Sequence, residues 1–207
     1  MPPSSRIGNT PSTPSSKGPE LNIKGEPRFS DSETTLKPHK IVSQGVVYRD
    51  RYKSIERITA DFGGFSKEYF VTDCGVKAAA VVVRDQHILL VRQYRLLIND
   101  LSLEIPGGKV GDREAPIDAA ARECLEETGV RCDSLTPLIA FSPDHECIRN
   151  PTHVFHTDIA EEIEANTDTG LWLPVSQCIE KIYDGTINDS LSVISILAYA
   201  ARVLRSQ

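Results

Sequence analysis

The segment that most restricts how this chain can fold lies between Pro116 and Gly129. Proline suits the first position of a helix, where its missing N–H would have no partner anyway. Glycine suits the left-handed residue that closes one. Between these two signals Ile117, Ala121, Cys124 and Thr128 recur at steps of four, three and four. That spacing predicts an amphipathic helix packed on a sheet. Glu123, Glu126 and Glu127 cluster at steps of three and four, which places them together on the face opposite the apolar one. Like charges so arranged destabilise a helix by a few tenths of a kcal/mol per pair, so a compensating partner is expected. Hard cations with oxygen ligands are the usual partner. With no His or Cys on that face, the expected cofactor is Mg²⁺ or Mn²⁺ and not zinc. The competing reading is a solvated acidic face. Against it, only Arg122 supplies a nearby opposite charge, and the preceding Gly107-Gly108 loop can bring backbone carbonyls close.

The rest of the chain supplies the sheet. Val76 to Val83 is a near-continuous apolar run, as expected for a strand buried on both faces. Asp85-Gln86 turns it back, and His87 to Val91 returns as its hairpin partner. Val46 to Phe62 reads as one or two strands. Gly63-Gly64 then makes a turn before a strand over Glu68–Val71. Ile105-Pro106-Gly107-Gly108 reads as a loop. Thr152 to Phe155 and Leu171 to Leu173 read as short strands, followed by helices over Ser176–Tyr183 and about Leu191–Leu204. Interleaved strands and helices predict an α/β class, an α+β sandwich.

Residues 1–38 are rich in Pro, Ser, Thr and charge, and bury too little apolar surface to offset their ordering entropy. They are expected to form a disordered tail. Residues 39–75 are expected to hold the N-terminal strands, and residues 76–207 the main domain. The first eighteen residues lack the apolar region of a secretory signal. A mitochondrial transit peptide is the alternative this Ser-rich, acid-free stretch leaves open, although it has few arginines and its prolines oppose an amphipathic helix. The five cysteines are odd in number and scattered, with no C-x-x-C pair, so a reducing, cytoplasmic setting is expected. A net charge of −6 argues against a nucleic-acid partner. No apolar stretch is long enough to span a bilayer, so no membrane partner is expected.

The segment GKVGDREAPIDAAARECLEETGV, residues 108–130, resembles the Nudix box, G-x5-E-x7-R-E-U-x-E-E-x-G-U with U apolar, at every fixed position. A chance match is on the order of one in 10⁹ per starting position at average residue frequencies. Cys124 replaces the usual aliphatic residue, and a buried cysteine behaves as a small hydrophobe. The resemblance implies a Nudix fold, with a mixed central sheet between helices. It implies that Glu123 and Glu127 bind metal, with Glu126 a ligand or a base, and that the Gly107 carbonyl completes the metal site. Glu114 and Arg122 would brace the loop against the helix.

The flanks, Val91-Arg92-Gln93-Tyr94-Arg95 and Leu103-Glu104-Ile105-Pro106-Gly107-Gly108-Lys109, resemble the ADP-ribose and ADP-sugar pyrophosphatase branch. The likeness runs from about Val46 to Leu204. It implies hydrolysis of a nucleoside-diphosphate sugar to a nucleoside monophosphate and a sugar phosphate. It also implies a homodimer intertwined through N-terminal antiparallel strands, with Arg92, Arg95 and Glu104 at the substrate. The competing reading for the arginines is an alternating strand that faces solvent. One departure stands out: ADP-ribose hydrolases commonly carry Pro-Gly shortly after the box, whereas this chain reads Ser142-Pro143-Asp144-His145-Glu146. For the general base, Glu164 in the acidic loop Glu161–Glu164 is the first candidate and Glu146 the second. Tyr48 or Phe62 is a candidate to stack the base, while Trp172 and His153 read as structural. Two rivals remain open. One is a Nudix hydrolase of another linkage, such as a dinucleoside polyphosphate or coenzyme A. The other is a Nudix-fold module that binds a nucleotide without cutting it, which the intact glutamate trio disfavours.

Overall fold

The structure is a computed structural model, and it describes residues 37–163 and 170–205. The strands are β1 (Lys40–Arg49), β2 (Ser54–Asp61), β3 (Ser66–Asp73), β4 (Lys77–Arg84), β5 (His87–Arg95), β6 (Asp100–Glu104), β7 (Gly107–Lys109), β8 (Val130–Asp133), β9 (Thr136–Phe141), β10 (Ile148–Arg149), β11 (Thr152–Thr157), β12 (Ile159–Glu162) and β13 (Gly170–Pro174). The helices are α1 (Pro116–Thr128), α2 (Val175–Tyr183) and α3 (Ser190–Arg205). Of the tail expected to be disordered, residues 1–36 lie outside the described residues, as does Glu164.

The central sheet runs β13-β5-β4-β11-β9, with β6 beside β5 and β7 beside β4. It is mixed, because β4 and β11 are parallel while β4 and β5 are antiparallel. A second sheet runs β1-β2-β3-β10, and β12 pairs with β8. The expected class, a sandwich with a mixed sheet between helices and antiparallel N-terminal strands, is what the chain adopts.

Strand β4 organises the core because side chains alternate across a strand. Ala78, Ala80 and Val82 pack toward Ala119, Ala120 and Cys124 of α1. Ala79, Val81 and Val83 pack toward Cys178 of α2 and Leu191 and Ile196 of α3. The reversal at Asp85-Gln86 has φ values of 49° and 62°, the left-handed pair that suits a two-residue hairpin. Next to this turn β4 pairs with β5 at Val83 and Arg84, and further along β7 takes the place beside β4.

Two expectations are corrected here. The Ile105–Gly108 loop is partly a strand, since Gly107 and Gly108 pair with Ala79 and Ala78. A Cβ on Gly107 would stand 2.5 Å from the Ala79 Cβ, so only glycine permits this approach. The buried face of α1 is also rotated from the one expected: Ala119, Ala120, Cys124 and Thr128 are buried, and Ile117 is exposed. Glu123 and Glu127 follow Ala120 and Cys124 by three residues, which puts each only about 60° round the helix from the buried stripe. The carboxylates therefore flank the core and do not oppose it.

Candidate active site

Helix α1 is placed by the local signals already named. Pro116 begins it without a side-chain cap, and Gly129 ends it at φ 70°, where its N–H donates to the Leu125 carbonyl. The helix lies against β7, and the approach is close. A Cβ on Gly108 would stand 2.3 Å from the Glu123 carboxyl carbon, so glycine here keeps space for that carboxylate.

Arg122 ties the loop to the helix. Its Nε and Nη2 donate to the two oxygens of Glu114 at 2.8 and 3.0 Å, and Nη2 also donates to the Lys109 carbonyl at 3.1 Å. Its Nη1 donates to Glu123 at 2.7 Å and to Glu126 at 3.1 Å. Glu114 further accepts the Gly111 N–H at 2.7 Å. Arg122 first, and then that N–H, hold the Glu114 carboxyl down at about 2. This fork geometry suits guanidinium and would not suit lysine.

The three glutamates of α1 differ in surroundings. The Glu123 side chain is 16% exposed and that of Glu126 is 58% exposed. Glu127 is half-buried; it accepts the Gly107 N–H at 3.0 Å and a hydrogen bond from the Gln93 amide. Burial, reinforced by Glu123, raises the Glu127 carboxyl above its ordinary value against the pull of those donors. Gln93 was not singled out from sequence. Its signal was its place two residues before Arg95, on the same side of a strand.

Arg95 forms a bidentate ion pair with Glu104, with Nε at 2.6 Å from one oxygen and Nη2 on the other. Glu104 is buried at 6% exposure. Burial acts to raise its carboxyl, but the pairing with Arg95 outweighs this and holds it below the ordinary value. Arg92 is exposed on the alternate side of β5. Glu146 is exposed and ion-paired to Lys67 at 2.7 Å. With His145, Phe62 and Tyr69 it lines a cavity of about 580 Å³ against the N-terminal sheet. Phe62 stacks on Phe65 at 4.8 Å, and the Tyr48 hydroxyl donates to Asp50 at 2.9 Å. Trp172 packs against the α1-side core and donates its indole N–H to Glu162 at 3.1 Å.

Among the described residues no three Asp, Glu, His or Cys side chains converge as ligands of one ion. The donor chemistry nevertheless fits a hard divalent cation: Glu123, Glu126 and Glu127 offer carboxylate oxygens only, and Glu123 and Glu127 lie against the Gly107-Gly108 backbone.

These features agree with the comparisons. The NUDIX domain model matches residues 75–189, and the chain belongs to the Nudix hydrolase family. Within that family it is 28% identical over 162 residues to an ADP-ribose pyrophosphatase of Bacillus subtilis, covering 78% of this chain and 83% of that protein. It is 32% identical over 162 residues to a CMP-5'-(N-acetyl-N-hydroxy-3-aminopropyl)phosphonate hydrolase of Streptomyces rubellomurinus, covering 74% of this chain and 78% of the relative. A solved structure of an ADP compounds hydrolase superposes with a TM-score of 0.70 at 19% identity, over 82% of this chain and 97% of that one, which shows the fold. The resemblance read from the sequence is thus borne out for the family and for its ADP-ribose pyrophosphatase branch. No helix among the described residues is long and apolar enough to cross a membrane.

Proposed function

We propose that the protein hydrolyses the diphosphate of ADP-ribose or a related nucleoside-diphosphate sugar, in a Mg²⁺- or Mn²⁺-dependent reaction that yields a nucleoside monophosphate and a sugar phosphate. The observation that carries this reading is the seating of the box glutamates against the Gly107-Gly108 backbone, with the Arg95–Glu104 pair in electrostatic reach of Glu127. The ADP-ribose pyrophosphatase relative supports the choice of substrate.

In this reading Glu123, Glu126, Glu127 and the Gly107 carbonyl hold the metal. When bound, such cations offset diphosphate charge, polarise phosphorus and lower the pKa of an attacking water. Arg122 and Glu114 keep the loop and helix in register and do not touch substrate. Arg95 faces the diphosphate, and Arg92, on the alternate side of β5, is proposed to meet the substrate from that side. Glu104, with both oxygens on Arg95, acts by holding that guanidinium in place. Glu164 is the proposed general base, with Glu146 second. A homodimer built on the N-terminal strands and a cytoplasmic setting belong to the same proposal.

A second reading, another nucleotide-linked substrate, is favoured by the CMP-linked phosphonate hydrolase at 32% identity. One experiment separates the two and tests both. The full chain is incubated with Mg²⁺ and a panel of ADP-ribose, ADP-sugars, CMP-linked compounds, dinucleoside polyphosphates and coenzyme A, and the products are resolved by chromatography. Preferred release of AMP from ADP-ribose supports the first reading, and preferred release of CMP supports the second. Hydrolysis undiminished after EDTA and dialysis removes the metal from both.

A further inference from the structure

Side chains alternate between the two faces of β5, so Gln93 and Arg95 project to one side and Arg92 and Tyr94 to the other. Gln93 is partly buried and stands opposite Ser102 of β6, which is buried. Its side-chain amide donates to Oε1 of Glu127. The Gly107 N–H donates to Oε2 of the same carboxylate at 3.0 Å. Three elements, β5, β7 and the last turn of α1, therefore meet at one carboxylate.

The last torsion of a glutamate is soft, with broad minima. One donor leaves the carboxylate free to swing, whereas two donors on different oxygens fix its plane. Gln93 and Gly107 do this to Glu127, and an ionised carboxylate accepts only from the N–H₂ end of the amide, so the orientation of Gln93 is set as well. Both donors are neutral. They orient the carboxylate and leave its negative charge in place. Arg122 acts differently on the other box glutamates, since its guanidinium donates to Glu123 and Glu126 and offsets their charge. Arg95 shares its side of β5 with Gln93, but its Nε and Nη2 are held on Glu104. Gly107 adds a second link, because the residue whose N–H bonds Glu127 is the one whose carbonyl is proposed above as a metal ligand.

We propose that Gln93 is a positioning residue of the metal site: its amide holds the Glu127 carboxylate in a fixed orientation, ready for a divalent cation, and it acts through Glu127 without touching the substrate. The inference rests on the metal-dependent hydrolase reading above and deepens it. Carboxylates that ligate metals are themselves hydrogen-bonded, and loss of such a partner weakens metal binding roughly 10–100-fold. A residue that merely packed would change stability and leave metal affinity alone.

The test uses the full chain and Mn²⁺ alone as the probe, with no substrate present. Gln93→Met keeps the length of the side chain and removes the donor. Titration calorimetry is expected to show Mn²⁺ bound about tenfold or more weakly by Gln93→Met than by the wild type. The metal-free melt should shift by only a few degrees. At saturating Mn²⁺, kcat for ADP-ribose should return toward the wild-type value with KM unchanged, because the residue acts on the metal and not on the substrate. If Gln93→Met does not fold, Gln93→Leu is read in the same way, and failure of both to fold assigns Gln93 to packing and overturns the proposal. Equal Mn²⁺ affinity in a folded variant, with or without a raised KM, overturns it too, as does a wild type that binds no Mn²⁺. A wild type that binds Mn²⁺ but does not cut ADP-ribose overturns the reading of the substrate instead, and the substrate-free titration still reports on Gln93.

Discussion

Strands β4 and β1 are both rich in branched residues, and the structure treats them oppositely. Every residue of β4 from Ala78 to Val83 is buried, whereas every residue of β1 is exposed, with Ile41 at 66% and Val47 at 53%. The first lies between two layers of helix. Among the described residues the second pairs only with β2, and its other edge and both faces are uncovered. An exposed edge with apolar side chains invites a partner strand unless something covers it. The contrast teaches that the central sheet buries its apolar side chains within one chain, while β1 leaves its own exposed.

A matched pair of substitutions breaks this contrast most sharply. Val81→Asp buries a charge with no partner between the sheet and the α2–α3 layer, which costs several kcal/mol and is expected to abolish folding. Val47→Asp places the same charge on an exposed position and is expected to leave the far-UV spectrum and the core intact. Wild-type protein should scatter light as a dimer near twice 22.8 kDa, and Val47→Asp as a monomer. Monomeric wild type at micromolar concentration would show that β1 is a bare edge for some other reason.

Next in size is Glu127→Gln, which keeps shape and removes charge beside the core. Turnover should fall by two or more orders of magnitude, about 1.4 kcal/mol per tenfold, if Glu127 holds a catalytic cation. Stability without metal should hold or rise, since a raised carboxylate is one whose ionisation the fold opposes. The sign follows from proton linkage. The folded state binds this proton more tightly than the unfolded chain, so metal-free stability declines as pH rises from the ordinary glutamate range through the raised value. Melts across that window should show the slope in wild type and its reduction in Glu127→Gln.

Glu114 predicts a smaller effect of the opposite sign. Arg122 holds its carboxyl at about 2, so its contribution is present above the ordinary glutamate range and is lost as pH falls toward that value. Glu114→Gln should flatten the acid limb of the stability profile below pH about 4.5, the ordinary value for a glutamate. An unchanged acid limb would show that the brace is too solvated to matter. The smallest effect is expected from deleting residues 1–36, a segment with little to bury: melting temperature and turnover should stay nearly constant. A drop of many degrees would show that the tail packs on the N-terminal sheet.

The parts of this protein that could be read from its sequence are those set by short-range spacing. Pro116 and Gly129 bounded α1, the unbroken apolar run announced β4, and the glutamate spacing announced a metal-type cluster, because each signal lies within a few turns or strand residues. Tertiary structure decided the rest. Helical periodicity grouped Glu123, Glu126 and Glu127, but only packing against β7 made Glu127 half-buried and left Glu126 at 58% exposure. Gln93 meets Glu127 across 34 residues of chain, and Arg95, a candidate phosphate ligand, is held in an ion pair because β6 brings Glu104 alongside it.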